Sequence, residues 1–303
     1  MTGFSLGPMR GVSMTEAADI VMGESGHLPA IPQLPERGLG ADAVGSTAAL
    51  LEEINVDRGP RAWQMTQRPQ LMMRRTWDLW ERDLDAIQEV WGESVPVFKM
   101  QVLGPWSLAA AVELANGHRV LSDAGATRDL HEALQMGIGE HVKKLVRRFH
   151  GEVRVQVDEP LLGDVLAGKV PGTTDFDEIR AVPAEVAREK LKELGAEYLV
   201  AGPHWEVAGA AKTFVTDSAG LGTAQNIDGL GEFLSEGKRI GFAIAGVDAR
   251  AEAVAVARHF DRMGMSRQLL VDAVDVVPRE TSASTLRSAV ETAGMLVRDA
   301  GDL

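Results

Sequence analysis

Val153-Arg154-Val155-Gln156-Val157-Asp158-Glu159-Pro160-Leu161-Leu162 alternates apolar and polar residues, then stops on two carboxylates and a proline. A period of two is the mark of a strand. It puts Val153, Val155 and Val157 on one face and Arg154, Gln156 and Asp158 on the other. Pro160 ends the ladder because it has no backbone N–H to donate. In a parallel sheet covered by helices, the valines meet a helix and the polar set points inward. Such an inner face differs from the branched aliphatic filling of an ordinary barrel core, so the stretch reads as a buried strand ending at a site.

A second stretch, 95–103, repeats the arrangement, with Phe98, Met100 and Val102 on one face and Lys99 and Gln101 on the other. Two half-exposed strands of an antiparallel sheet would show the same pattern. Helical periodicity on either side argues for burial instead. Trp77, Trp80, Leu84, Ile87 and Trp91 recur at steps of three and four within 70–91, and Leu130, Leu134, Ile138, Val142, Leu145 and Phe149 do so within 127–149. A further helix is expected over 106–114.

Upstream, a turn at 7–11 leads to a helix over 15–22 capped by Ser13. The prolines of 27–35 force extended backbone, an edge strand or a loop over a site. Gly38-Leu39-Gly40-Ala41-Asp42-Ala43 formally matches a dinucleotide-binding fingerprint. It follows Pro35-Glu36-Arg37 instead of an apolar strand, so it reads as a glycine turn opening a helix over 43–54. Residues 55–67 read as irregular or weakly extended. Downstream, a short helix (161–167) and a Pro/Gly/Asp-rich loop (169–183) precede helix 184–194, strands 197–201 and 212–216, helix 228–234, strand 239–245, helix 249–263, strand 269–277 and helix 282–297. About eight strand candidates alternating with helices and no linker predict an α/β fold, a single (β/α)8 TIM barrel over 1–303 with an elaborated N-terminal third. Function is then expected at the C-terminal strand ends.

The composition narrows the chemistry. The chain has 303 residues, 45% hydrophobic and 25% charged, enough for a sizeable core. A net charge of -13 with scattered Lys and Arg argues against nucleic acid or an anionic membrane as partner. The absence of cysteine excludes disulfides, thiolate catalysis and thiolate metal ligands. With neither a leader-like start nor an apolar run of about 20 residues, a cytoplasmic location is expected.

Several of these segments resemble the barrel superfamily of cobalamin-independent methionine synthase and uroporphyrinogen decarboxylase. Gln156-Val157-Asp158-Glu159-Pro160-Leu161-Leu162 resembles the synthase's Gln-hydrophobic-Asp-Glu-Pro-Ala/Ser-Leu motif, and Gln101-Val102-Leu103-Gly104-Pro105-Trp106-Ser107-Leu108 resembles the superfamily's Gly-Pro-aromatic-Thr-Leu segment. The stretch from His27-Leu28-Pro29 to Gly38-Leu39-Gly40-Ala41-Asp42 is similar to the opening of short, single-barrel methionine-synthase-like proteins. The resemblance implies a methyltransferase of methionine biosynthesis, moving a methyl group from a folate-type donor to a thiol such as homocysteine. It implies Asp158 as amino-acid anchor beside Glu159, and Gln101, Trp106, Gln156, Arg10 and His27 as substrate-binding residues. The expected partner is a small amino-acid or folate-like molecule.

In that family a zinc ion, held by His, Glu and two Cys, activates homocysteine as a thiolate. This chain departs from the pattern. Where the family has His-x-Cys, Tyr198-Leu199-Val200-Ala201-Gly202 offers no ligand in register and His204 lies a few residues late; Asp217 matches the Glu, and Glu280 stands where the last Cys should be. One reading is a rebuilt zinc site of His204, Asp217 and Glu280, since zinc accepts nitrogen and oxygen ligands. The other is that His204 sits on a loop, Asp217 caps a helix and Glu280 pairs with an Arg. Two further functions stay open: a metal-free decarboxylase or lyase using Arg10, Arg154 and Asp158, and a catalytically silent small-molecule-binding barrel.

Overall fold

The computed structural model describes residues 1–174, 177–217 and 223–299. Its strands are β1 (Asn55–Arg58), β2 (Trp63–Thr66), β3 (Val97–Leu103), β4 (Glu152–Asp158), β5 (Tyr198–Val200), β6 (Thr213–Asp217), β7 (Arg239–Ile244) and β8 (Val274–Pro278). The last six form one parallel sheet in sequence order, so all their C-terminal ends lie on one side. Helices Leu71–Trp91, Ala124–Phe149, Ala184–Glu193, Ala249–Arg262 and Ala283–Asp299 connect or flank these strands, as the periodicity predicts. No helix among the described residues is long and apolar enough to cross a membrane.

The regular sheet has six strands where eight were expected. The N-terminal third supplies short pieces of extended chain in place of two strands. Phe4 N donates to Val276 O at 3.1 Å and Val276 N to Thr2 O at 2.9 Å, which attaches the first residues to β8. Ile31 N donates to Lys99 O and Lys99 N to Pro29 O, both at 2.8 Å, which attaches the proline-bounded stretch to β3. These two segments meet each other where Met9 N donates to Gln33 O and Gln33 N to Gly7 O. Prolines 29, 32 and 35 withhold the donors a longer ladder would need, so the pairing stays at isolated bridges.

Two other expectations change. Residues 55–66 form an antiparallel hairpin, with Asn55 opposite Thr66 and Arg58 opposite Trp63. Its buried Asp57 accepts from Met73 N and Arg58 N and so breaks the apolar alternation that would have betrayed a strand. Helix Arg267–Ala273, capped by Ser266 Oγ on Leu269 N, takes the first half of the strand expected over 269–277.

The outer faces of the strands pack as their parity requires. Phe98 meets Phe149 edge-on at 5.3 Å and Trp91 at 6.3 Å, between helices Leu71–Trp91 and Ala124–Phe149. Phe242 meets Phe260 in the same way. Phe4, Leu28, Tyr198, Val215, Ala243 and Val277 form a separate cluster on the concave side. Below it, at the N-terminal ends, Arg239 donates to both oxygens of Asp275, whose Oδ1 also accepts Thr2 N.

Candidate functional site

The paired register of β3 and β4 sets Lys99 beside Arg154, Gln101 beside Gln156 and Leu103 beside Asp158. Lys99, Gln101 and Gln156 are buried and inward, as alternation predicts. Lys99 Nζ donates to Gln156 Oε1, and Gln156 Nε2 donates to Leu6 O at 3.0 Å and to Asp158 Oδ1 at 2.6 Å. Gln101 Nε2 donates to Ile31 O at 2.5 Å, while its Oε1 is buried without a partner. Gly7, with φ +111, crosses directly over Gln101; a Cβ there would lie 2.2 Å from the amide.

Lys99 lies 4.8 Å from the centroid of Phe4 and 5.7 Å from that of Tyr198, a cation–π setting that partly replaces water. Burial still drives its pKa down to about 7, opposed by the charge of Asp158. Asp158, at the C-terminal end of β4, is partly exposed. Desolvation pushes its carboxyl up to about 6, against the pull of Gln156 and Lys99. Thus both groups of this pair are poised to change charge near neutrality. Lys99 was not among the site residues expected, although its parity with Gln101 pointed to it.

Glu159 has a different position from its neighbour. Adjacent strand residues face opposite ways, and Glu159 turns under the short helix Pro105–Ala111. Pro105 has no N–H, and the next two residues donate to Glu159: Trp106 N at 2.9 Å, Ser107 N at 2.7 Å and Ser107 Oγ at 2.5 Å. Gly104 permits the approach, since a Cβ there would stand 2.3 Å from the carboxylate. Burial raises the Glu159 pKa to about 7, with these donors opposing. The carboxylate holds the helix end, and its hydrogen bonds all come from Trp106 and Ser107.

The remaining expected residues are dispersed. Trp106 lies between helices, with its indole donating to Ala187 O at 3.2 Å and its ring 4.6 Å from that of His131. It is therefore outside the strand ends, because the helix that carries it packs its side chain away from the sheet's concave side. His27 precedes the Leu28 segment, whose parallel pairing with β3 sets it at the opposite end of the sheet from Asp158. Arg10 is at the C-terminal side, exposed and 3.1 Å from Glu280. Arg154 is level with Lys99 and donates to Glu152 and Tyr198 Oη, so Arg10, Arg154 and Asp158 do not converge as a lyase site would require.

Nor are the three expected metal ligands brought together. Asp217 accepts a two-point contact from Arg279 at 2.6 Å and 2.6 Å, Glu280 meets Arg10, and His204 Nδ1 is 3.5 Å from Glu206. Among the described residues no group of three or more His, Asp or Glu could hold a metal ion. With guanidinium groups already occupying two of the three carboxylate and imidazole donors, this donor set does not fit zinc.

No protein-family model matches the chain, and no curated protein matches it. Among solved structures, a methyltransferase from Methanosarcina mazei is similar over 98% of this chain and 94% of that chain, with 11% identity and a TM-score of 0.48. So distant a likeness says nothing about substrate or chemistry.

Proposed function

We propose that the six parallel strands and the two bridged N-terminal segments form one (β/α)8 barrel that binds an amino-acid-like substrate at its C-terminal end. Asp158 is the anchor for the ligand's ammonium group. The observation that carries this reading is the state of Asp158: it ends a strand, is partly exposed, and has one oxygen oriented by Gln156. A cationic ligand adds a second charge-assisted bond to a carboxylate that burial otherwise holds near neutrality.

Following the resemblance noted in the sequence, the reaction class is methyl transfer to a thiol such as homocysteine, with a folate-type donor. No thiolate-ligated zinc takes part in this reading. Lys99 acts as a positioning residue, its charge favouring the ionised form of Asp158. Arg10, at the rim, is paired with Glu280 and would exchange that partner for a donor's carboxylate.

A thermal-shift series with homocysteine, methionine and methyltetrahydrofolate tests this, since a ligand of the native state raises the melting temperature by mass action. Homocysteine or methionine should stabilise the wild type and not Asp158→Asn. No shift with any of the three, or an equal shift in the variant, overturns the reading. A silent binding barrel is the second reading, favoured because Asp217 and Glu280 are already neutralised by arginines. Binding without methyl transfer, in the presence of the donor, would select it.

A further inference from the structure

Away from the strand ends, a cavity of about 560 Å³ opens between the start of helix Ala124–Phe149, helix Ala184–Glu193 and the chain at 178–182. Its walls are apolar: Trp106, Leu121, Ile179, Val182 and Val186. Three uncharged polar side chains, Ser122, Thr127 and His131, lie among them. His131 is buried, stands edge-on to Trp106 at 4.6 Å, and its Nε2 has no hydrogen-bond partner. A buried imidazole nitrogen left unpaired is costly, and this one is covered by the surrounding side chains and does not open to the cavity.

The rim is cationic in a chain that is acidic overall. Arg128, Arg180 and Lys190 line it, against the single carboxylate of Glu178. Arg128 and Lys190 have acidic neighbours, Asp129 and Glu193, on their own helices. Arg180 makes no ion pair with any described residue and is exposed. Apolar walls and, at the entrance, an exposed guanidinium with no ion pair among the described residues together describe a ligand with a small apolar body and one anionic end.

We propose that this cavity binds a small amphipathic carboxylate, its carboxylate on Arg180 at the rim and its apolar body against Trp106, Ile179 and Val186. Burial and the nearby Lys190 charge hold the His131 pKa down to about 4, so the imidazole stays neutral and tolerates an apolar guest. The site is separate from Asp158, and the proposal does not depend on the function assigned to that residue.

The test is a fluorescence titration of the full chain with 1-anilinonaphthalene-8-sulfonate, displaced by octanoate or by uncharged 1-octanol. Octanoate should displace the probe at a concentration at least tenfold lower than octanol. Arg180→Glu should weaken octanoate at least fivefold and leave octanol unchanged. Val186→Trp, which fills the entrance from an exposed helix position, should abolish displaceable binding, and Asp158→Asn should leave it intact. Melting temperatures of the two cavity variants, both altered at exposed residues, should match the wild type. The proposal is overturned if octanol competes as well as octanoate, if Arg180→Glu has no effect, or if Val186→Trp still binds.

Discussion

On β3 and β4 the side chains of the concave side include Lys99, Gln101, Gln156 and Asp158; on the same face of β6, β7 and β8, Val215, Ala243 and Val277 form an apolar band, with Asp217 level with Ala243 and with Arg239 and Asp275 below. The backbone geometry of the two walls is the same, and the apolar wall is simply packed. The polar wall persists because each group has partners within the fold: Lys99 has an amide and two rings, and Gln156 has the Leu6 carbonyl and Asp158. Burial of such groups is tolerable only when hydrogen bonds replace those lost to water. The difference teaches where a ligand can gain most. A guest over the apolar band meets a packed surface, whereas one at the end of β4 meets a carboxylate near its titration point.

The comparison is sharpened first at the carboxylate that belongs to neither wall. Glu159→Ala removes the acceptor of three hydrogen bonds from Trp106 and Ser107, and should cost about 3 kcal/mol of stability in chemical denaturation. A loss below about 1 kcal/mol would mean that water replaces the carboxylate at the helix end.

Next in size is Asp158→Asn, expected to weaken homocysteine or methionine binding by tenfold or more, since a charge-assisted bond is worth roughly 1.5–3 kcal/mol. The pH dependence has a fixed sign. Because the Asp158 carboxyl is raised from 3.8 to about 6, an ammonium ligand should bind more tightly as pH climbs through about 6. The same shift means that the folded chain retains a proton the unfolded chain releases over that interval, so Asp158 reduces stability as pH rises through it. Calorimetric titration between pH 5 and 7.5 checks the first; a flat profile would remove Asp158 from the binding site.

Val277→Ala, on the packed wall, should cost about 1.5 kcal/mol through lost burial and leave ligand affinity within about twofold. Equal damage to binding would erase the distinction between the walls. The smallest effect is expected from Lys99→Met. Removing a desolvated cation offsets the orphaned Gln156 acceptor, so stability should change by under about 1 kcal/mol. Its loss also removes a charge that lowers the Asp158 pKa, so the pH midpoint for ligand binding should move upward.

Much of this could be read from the chain itself. Alternation at 97–103 and 152–158 and the stripes of Leu71–Trp91 and Ala124–Phe149 are periodic signals, and the structure places those elements where they predict. Parity alone also separates Asp158 from Glu159, although a motif resemblance treats them as one unit. Other features were not legible. The bridged segments near Phe4 and Ile31 are too short and too proline-rich for a period to show, and the hairpin at 55–66 hides behind Asp57. Trp106 looks like a ligand platform until the packing of its helix directs it toward Ala187 and His131. Pairings such as Asp217 with Arg279, 62 residues apart, leave no local trace.

The way the two N-terminal segments are joined also sets a hierarchy of motion. Each is held to its neighbour by about two backbone hydrogen bonds, against continuous ladders from β3 to β8. In native-state hydrogen exchange the amides of Phe4, Met9, Ile31 and Val276, all bonded across these bridges, should therefore exchange through local opening, earlier than that of Met100. Because Leu6 and Ile31 supply carbonyls to Gln156 and Gln101, each such opening momentarily strips the polar wall of its backbone acceptors. Ligand entry and the breathing of the N-terminal third would then share one rate.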